Sequence, residues 1–151
     1  MAADREFIVG IVPRLRAFGT PPLRPIEALD GAERRALERA LASPREDATL
    51  LVAELDAEGL AGVAFAQADI DYFTGETHAH LDIIAVAESG EGRGVGRALI
   101  AAVEQWAIGR GYRFIDLNVF AENTRARAVY ERAGYAADTI RYYKELRNDG
   151  P

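Results

Sequence analysis

The chain has no cysteine, one methionine, one tryptophan and, among 18 basic residues, a single lysine, Lys144. Without cysteine there is neither a disulfide framework nor a thiolate nucleophile. No apolar run approaches the roughly 20 residues that span a bilayer. The opening "MAADREF" lacks the basic start and apolar stretch of a secretory signal. A cytoplasmic location with no membrane partner is the expectation. The lone lysine stands far from any glycine-rich loop, which closes the Walker reading, since that motif needs Gly-x-x-x-x-Gly-Lys-Ser/Thr. Basic clusters are missing too, and the net charge of −6 excludes nucleic acid as the main partner. The acidic balance mildly favours a cationic substrate. The arginine-rich basic set reads as genome composition and carries no function.

What is present fits one domain over residues 1–151, long enough to bury a core. Residues 5–18 place Phe7, Ile8, Ile11, Val12 and Leu15 at helical spacing, with Pro13 ending or kinking the helix. A second amphipathic helix is expected over 26–42. Strands follow at 48–56, 60–71 and 77–88, joined by hairpin turns. A helix over 94–108, a strand over 113–120, a helix over 122–134 and a last strand or hairpin over 135–146 complete the order. This is an α/β (α+β type) layered domain with a mixed sheet.

The stretch "SGEGRGVGRALI" (89–100) spaces four glycines at alternate positions and then turns apolar. The dinucleotide fingerprint needs Gly-x-Gly-x-x-Gly in a parallel βαβ unit, and neither Gly90 nor Gly92 starts one. What remains is a strand, a tight turn and a helix N-terminus, whose first amides are unpaired and sit at the positive end of the helix dipole. Such an arrangement takes an anionic oxygen or is simply a strand-to-helix turn.

A second constellation narrows the choice. In "AENTRARAVYERAGY", Asn123, Ala126 and Tyr130 lie along one helical face, with Asn123 also a good N-cap. A loop of the form Gln/Arg-x-x-Gly-x-Gly/Ala, followed by Asn-x-x-Ala-x-x-x-Tyr-x-x-x-Gly-Phe/Tyr, resembles the GCN5-related N-acetyltransferases (GNAT) over residues 48–146. The resemblance implies a mostly antiparallel mixed sheet flanked by helices, with a V-shaped splay between two central strands. It implies acetyl-CoA as cofactor, its pyrophosphate on the loop Glu91, Gly92, Arg93, Gly94, Val95, Gly96 and Arg97. Its pantetheine arm would pair with the backbone of Ile84 and Val86, near Asn123 and Ala126, and its sulfur would face Tyr130.

Two departures from the family pattern matter. Glu91 stands where Gln or Arg is usual, and a carboxylate beside a pyrophosphate is unfavourable unless Arg93 or Arg97 pairs with it or it points to solvent. The family's usual first strand is not apparent before the first helix. Strand 48–56 is then expected as a sheet edge, which invites homodimer pairing.

The implied reaction moves acetyl from a thioester to a primary amine of a small molecule or peptide. A lysine-like amine, pKa about 10.4, is neutral in roughly one molecule per thousand near pH 7.4, so a base is useful. Tyr130, a phenol, suits the general acid for the leaving thiolate. His78, His80 and Asp82 alternate along one strand, and His80 is the expected base with Asp82 as its partner or substitute. Two histidines without a third ligand do not make a metal site. Phe18, Tyr72, Phe73 and His78 are candidate acceptor contacts. A non-catalytic acyl-CoA sensor or scaffold is the alternative.

Overall fold

Pro13 decides how the chain enters the fold. The first helix, α1 (Ala2–Gly10), ends just before it, and Val12–Arg16 tightens into a 3-10 turn with Pro13 in its first positions. A proline has no N–H to continue the α-ladder, whose closing bond here is Ile11 N–H to the Phe7 carbonyl at 3.0 Å. The expected helix over 5–18 is therefore two pieces. The tighter turn buries Val12 completely and carries Arg14 sideways.

The computed structural model describes residues 2–19, 21–147 and 150. After the 3-10 turn come α2 (Ile26–Ala42), β1 (Ala48–Leu55), β2 (Gly59–Ile70) and β3 (Thr77–Val86). Then follow α3 (Val95–Gly109), β4 (Ile115–Leu117) and α4 (Thr124–Arg132). The sheet runs β1-β2-β3-β4, with two antiparallel pairings and a parallel one between β3 and β4. Among the described residues no strand precedes β1, which forms one edge. No described helix is long and apolar enough to cross a membrane.

Each face of the sheet carries its own core. On one, Ile8, Val12 and Leu37 from the α1–α2 layer pack on Val63, Phe65 and Ile83. On the other, Val95, Leu99 and Val103 of α3 pack on Ala64, Ala66 and Leu81. Leu81 and Ile83 would share a face in a regular strand. They do not, because the β2–β3 register shifts between them: Phe65 opposes Ile83 and Ala66 opposes Leu81, leaving Asp82 as the extra residue of a bulge.

Two sequence expectations fail in the last third. The strand expected over 113–120 shortens to Ile115–Leu117, and no strand forms over 135–146. A ladder of three residues gives the tail little edge to pair with. Its apolar side chains find no core either, since Ile140, Tyr142 and Leu146 are all exposed.

Helix α3 sits so close to β2 that only glycine fits at position 62. A Cβ there would lie 2.8 Å from Val95 Cγ1, 2.9 Å from Leu99 Cδ1 and 3.1 Å from the Ala85 carbonyl oxygen. Gly62→Ala is expected to cost about 1–3 kcal/mol through overpacking, read as a lower midpoint in urea unfolding.

Candidate functional site

β4 pairs with β3 only from Ala79 to Leu81, and there the bulge begins. Past it, β3 runs on to Val86 with no strand on its β4 side. The Ala87 N–H donates to the Ala61 carbonyl on β2 at 2.8 Å. By strand alternation, Ile84 and Val86 turn their backbone groups toward the opposite, open edge. The Val86 carbonyl accepts a hydrogen bond there from Arg14 Nε at 3.1 Å.

The open edge leads into the glycine loop. Gly92 and Gly94 have φ of 67° and 79°, a left-handed backbone that strains any residue with a Cβ. The turn's own bonds use the amides of Gly90, Glu91 and Arg93. In α3 the first intrahelical bond is Ala98 N–H to the Gly94 carbonyl at 2.9 Å, so the amides of Val95, Gly96 and Arg97 precede the ladder. Dipole and unpaired donors together suit an anion at this point.

Glu91 at the mouth of the loop is ion-paired, but not to Arg93 or Arg97. Its partner is Arg14 Nη2, delivered from the 3-10 turn, while Arg93 pairs with Glu58 at 2.7 Å. Arg97 is exposed on the first turn of α3.

Asn123 caps α4, its Oδ1 accepting the Ala126 N–H at 3.1 Å. This helix sets Tyr130 against the α3-side core, which Leu117 and Ile84 also border. Tyr130 is half-buried, and the loss of water around its hydroxyl pushes its pKa up to about 12. It therefore stays protonated throughout the physiological range.

The other face carries the titratable groups. His80 opposes Asp116 across the β3–β4 ladder, and its Nδ1 lies 2.6 Å from Asp116 Oδ1. The expected partner, Asp82, instead accepts from Gln67 Nε2 at 3.2 Å. Asp82 keeps the His80 face and stays within electrostatic reach of it. The residues directly across from His80 on the flanking strands take the two groups separately: Gln67 of β2 binds Asp82, and Asp116 of β4 binds His80. Asp82 reaches the surface, yet crowding by its neighbours strips enough water to raise its carboxyl above the ordinary value, against the pull of His80 and Gln67. Burial likewise raises Glu33 on α2, offset by Arg16, with Asp82 and Asp30 adding to the rise. Asp116 thus contacts His80, Asp82 lies within its electrostatic reach, and Glu33 within reach of Asp82.

His78 is not a surface contact. It is 3% exposed, stacked on Phe114 at 4.4 Å between centroids, with Nε2 3.1 Å from Asp116 but at an angle that makes no hydrogen bond. Tyr72 and Phe73 pack edge to face in the β2–β3 turn, at the end of β3 away from Val86, and both are largely exposed. Phe18 is covered by the Arg125 guanidinium, 3.8 Å from its ring centroid, which ties the 3-10 turn to α4. Sequence reasoning missed Arg14, Asp116 and Arg125. Asp116 had a signal, a carboxylate set inside the apolar strand "RFIDLNVF"; Arg14 and Arg125 had none.

The family model described as Acetyltransferase (GNAT) family matches residues 19–135. The chain belongs to this family.

Other GNAT relatives agree in shape. A Pyrococcus furiosus protein described as a candidate acetyl transferase is 25% identical, with a TM-score of 0.73 over 93% of each chain. The aminoglycoside N-acetyltransferase AAC(6')-Iy, solved in complex with CoA, is 26% identical, with a TM-score of 0.70 over 95% of this chain and 90% of its own. The mycothiol acetyltransferase of Jonesia denitrificans is 41% identical over 56 residues, which are 37% of this chain and 18% of that protein. This chain thus spans well under two thirds of that curated relative. GNAT acetyltransferases use acetyl-CoA as acyl donor.

The raised Tyr130 hydroxyl has a consequence for stability. An unfolded tyrosine ionises near 10, so between about pH 10 and 12 the unfolded chain loses a proton that the folded chain keeps. Stability present below pH 10 is lost across that window, by about 2–3 kcal/mol for two pKa units. Urea unfolding from pH 9 to 12 is expected to show a smaller alkaline loss in Tyr130→Phe than in the wild type.

Proposed function

We propose that this chain transfers an acetyl group from acetyl-CoA to a primary amine, most readily that of a small cationic molecule. The observation that carries the reading is the continuity of the open β3 edge with the unpaired amides of α3. Together they offer a strand-like arm a pairing partner and its diphosphate a cradle. Gly92, Gly94, Val95, Gly96 and Arg97 would hold the diphosphate, and Ile84 and Val86 the pantetheine. Bound acetyl-CoA supplies an activated acyl group and a thiolate leaving group; the chain's own residues supply the rest.

On the acceptor face, His80 is the base. With Nδ1 committed to Asp116, Nε2 is the nitrogen left to receive the amine proton. Asp116 fixes the ring as a carboxylate fixes a catalytic imidazole, by holding one tautomer. Asp82, Asp116 and Glu33 favour an ammonium group nearby, which supports a cationic acceptor over a neutral one. The names of the relatives, an aminoglycoside and a mycothiol acetyltransferase, support the small-molecule branch over a peptide amine.

Tyr130 lies on the opposite side of the sheet, against the core beneath the cofactor edge. With its pKa near 12, complete proton transfer to a thiolate of cysteine-like basicity, about 8.5, would be uphill by roughly 5 kcal/mol. Its role is to donate a hydrogen bond that stabilises the departing sulfur; the thiolate is protonated from the buffered solvent, and the amine proton that His80 accepts and releases there closes the balance.

Calorimetric titration with acetyl-CoA, with ATP and NAD as controls, tests the donor half. Micromolar binding of acetyl-CoA alone is expected; its absence overturns the transferase reading. Turnover on an amine panel separates an enzyme from a CoA-binding sensor. His80→Ala is expected to lower kcat/KM about a hundredfold and to remove the acidic limb of the pH–rate profile, and Asp116→Asn to lower it by about tenfold. An unchanged acidic limb in His80→Ala would take His80 out of the mechanism. Tyr130→Phe is expected to lower kcat about tenfold, with little change in acetyl-CoA affinity.

A further inference from the structure

The donor loop carries a charge problem that the N-terminal region solves. Glu91 sits one residue before Gly92, at the entrance to amides otherwise suited to an anion. A bare carboxylate there would repel a diphosphate. The Arg14 guanidinium covers it from outside the loop: Nε donates to the Val86 carbonyl at 3.1 Å, Nη2 pairs with Glu91, and Nη1 lies 3.5 Å from Glu88. Arg14 is one residue past Pro13, so the helix break that carries it sideways is also what delivers this cation. Its side chain is about four-fifths buried, at 22% exposure, so the pair is shielded from salt more than a surface pair.

We propose that Arg14 is a cofactor-positioning residue. It neutralises Glu91, so that the unpaired amides face an anion without a competing negative charge. The inference rests on the acetyl-CoA reading above. It makes Arg14 and Glu91 a coupled pair: the charge at position 14 matters for the cofactor because a carboxylate occupies position 91. Direct attraction of the diphosphate by Arg14 predicts something different, a loss that persists whatever stands at position 91.

The test measures the Kd for acetyl-CoA by calorimetry in the wild type, Arg14→Gln, Arg14→Lys and the double variant Arg14→Gln/Glu91→Gln, with thermal unfolding as a check on folding. Arg14→Gln exposes an unpaired carboxylate beside the diphosphate and is expected to weaken binding by about tenfold. Arg14→Lys keeps the charge but not the guanidinium fork, and is expected to bind acetyl-CoA more weakly than the wild type and more tightly than Arg14→Gln. The double variant removes both charges and is expected to recover to within about threefold. Should Arg14→Gln alone fail to fold, the double variant and Arg14→Lys still decide. Wild-type affinity in Arg14→Gln, or a loss that the double variant keeps, overturns the inference and leaves the function reading standing. A wild-type chain that does not bind acetyl-CoA overturns the function reading and this inference with it.

Discussion

The bulge at Asp82 is the constraint on which the site depends. One extra residue in β3 turns the strand over, so that Leu81 packs toward α3 while Ile83 packs toward α1 and α2. The ladder to β4 ends at the same place, after Leu81. A single backbone irregularity therefore does three things. It turns Ile83 to the face of α1 and α2, keeps Asp82 on the face of His80, and sits where the β4 ladder ends, with the edge over Ile84–Val86 open beyond it. Bulges bend and twist the strands that hold them, and this one lies at the last residues that β3 shares with β4.

In the proposed reading, donor and acceptor chemistry sit on opposite sides of one sheet, near the point where it opens. On the donor side the work is electrostatic and done by backbone: unpaired amides, a helix dipole and two left-handed glycines. On the acceptor side it is done by side chains, a histidine held by Asp116 with Asp82 within electrostatic reach. The pKa directions follow this division. Tyr130 rises because it is buried without a charged partner, while Asp82 and Glu33 rise in a crowded acidic pocket and are each held down by a cation or a histidine. An arriving ammonium group would relieve that crowding.

The N-terminal turn is the third part. Through Arg14 it touches the loop and the end of β3, and through Phe18 it meets Arg125 at the start of α4. The N-terminal segment is thus tied to the glycine loop, to the end of β3 and to the start of α4. The countercharge to Glu91 comes from Arg14, a residue distant in sequence, which is what the proposed anion-binding role of the loop requires.

The sequence by itself determined the elements whose signals are local. Pro13 broke the first helix, the apolar spacing set α2 from Ile26 to Ala42, and the hairpin turns set β1 to β3. Glycines with positive φ fixed the loop before α3, and Asn123 capped α4. Each follows from backbone sterics or periodicity within a few residues, so one chain suffices to read it. Tertiary structure alone decided which distant groups meet: Asp116 rather than Asp82 on His80, Arg14 rather than Arg93 or Arg97 on Glu91, and His78 buried under Phe114. The bulge leaves no mark in the alternation of "THAHLDIIAV", because an inserted residue changes which face a side chain takes without changing its type. The short β4 and the unpaired tail escaped for a related reason: a strand exists only where a neighbour offers a ladder, and no pattern along one segment records the length of its partner.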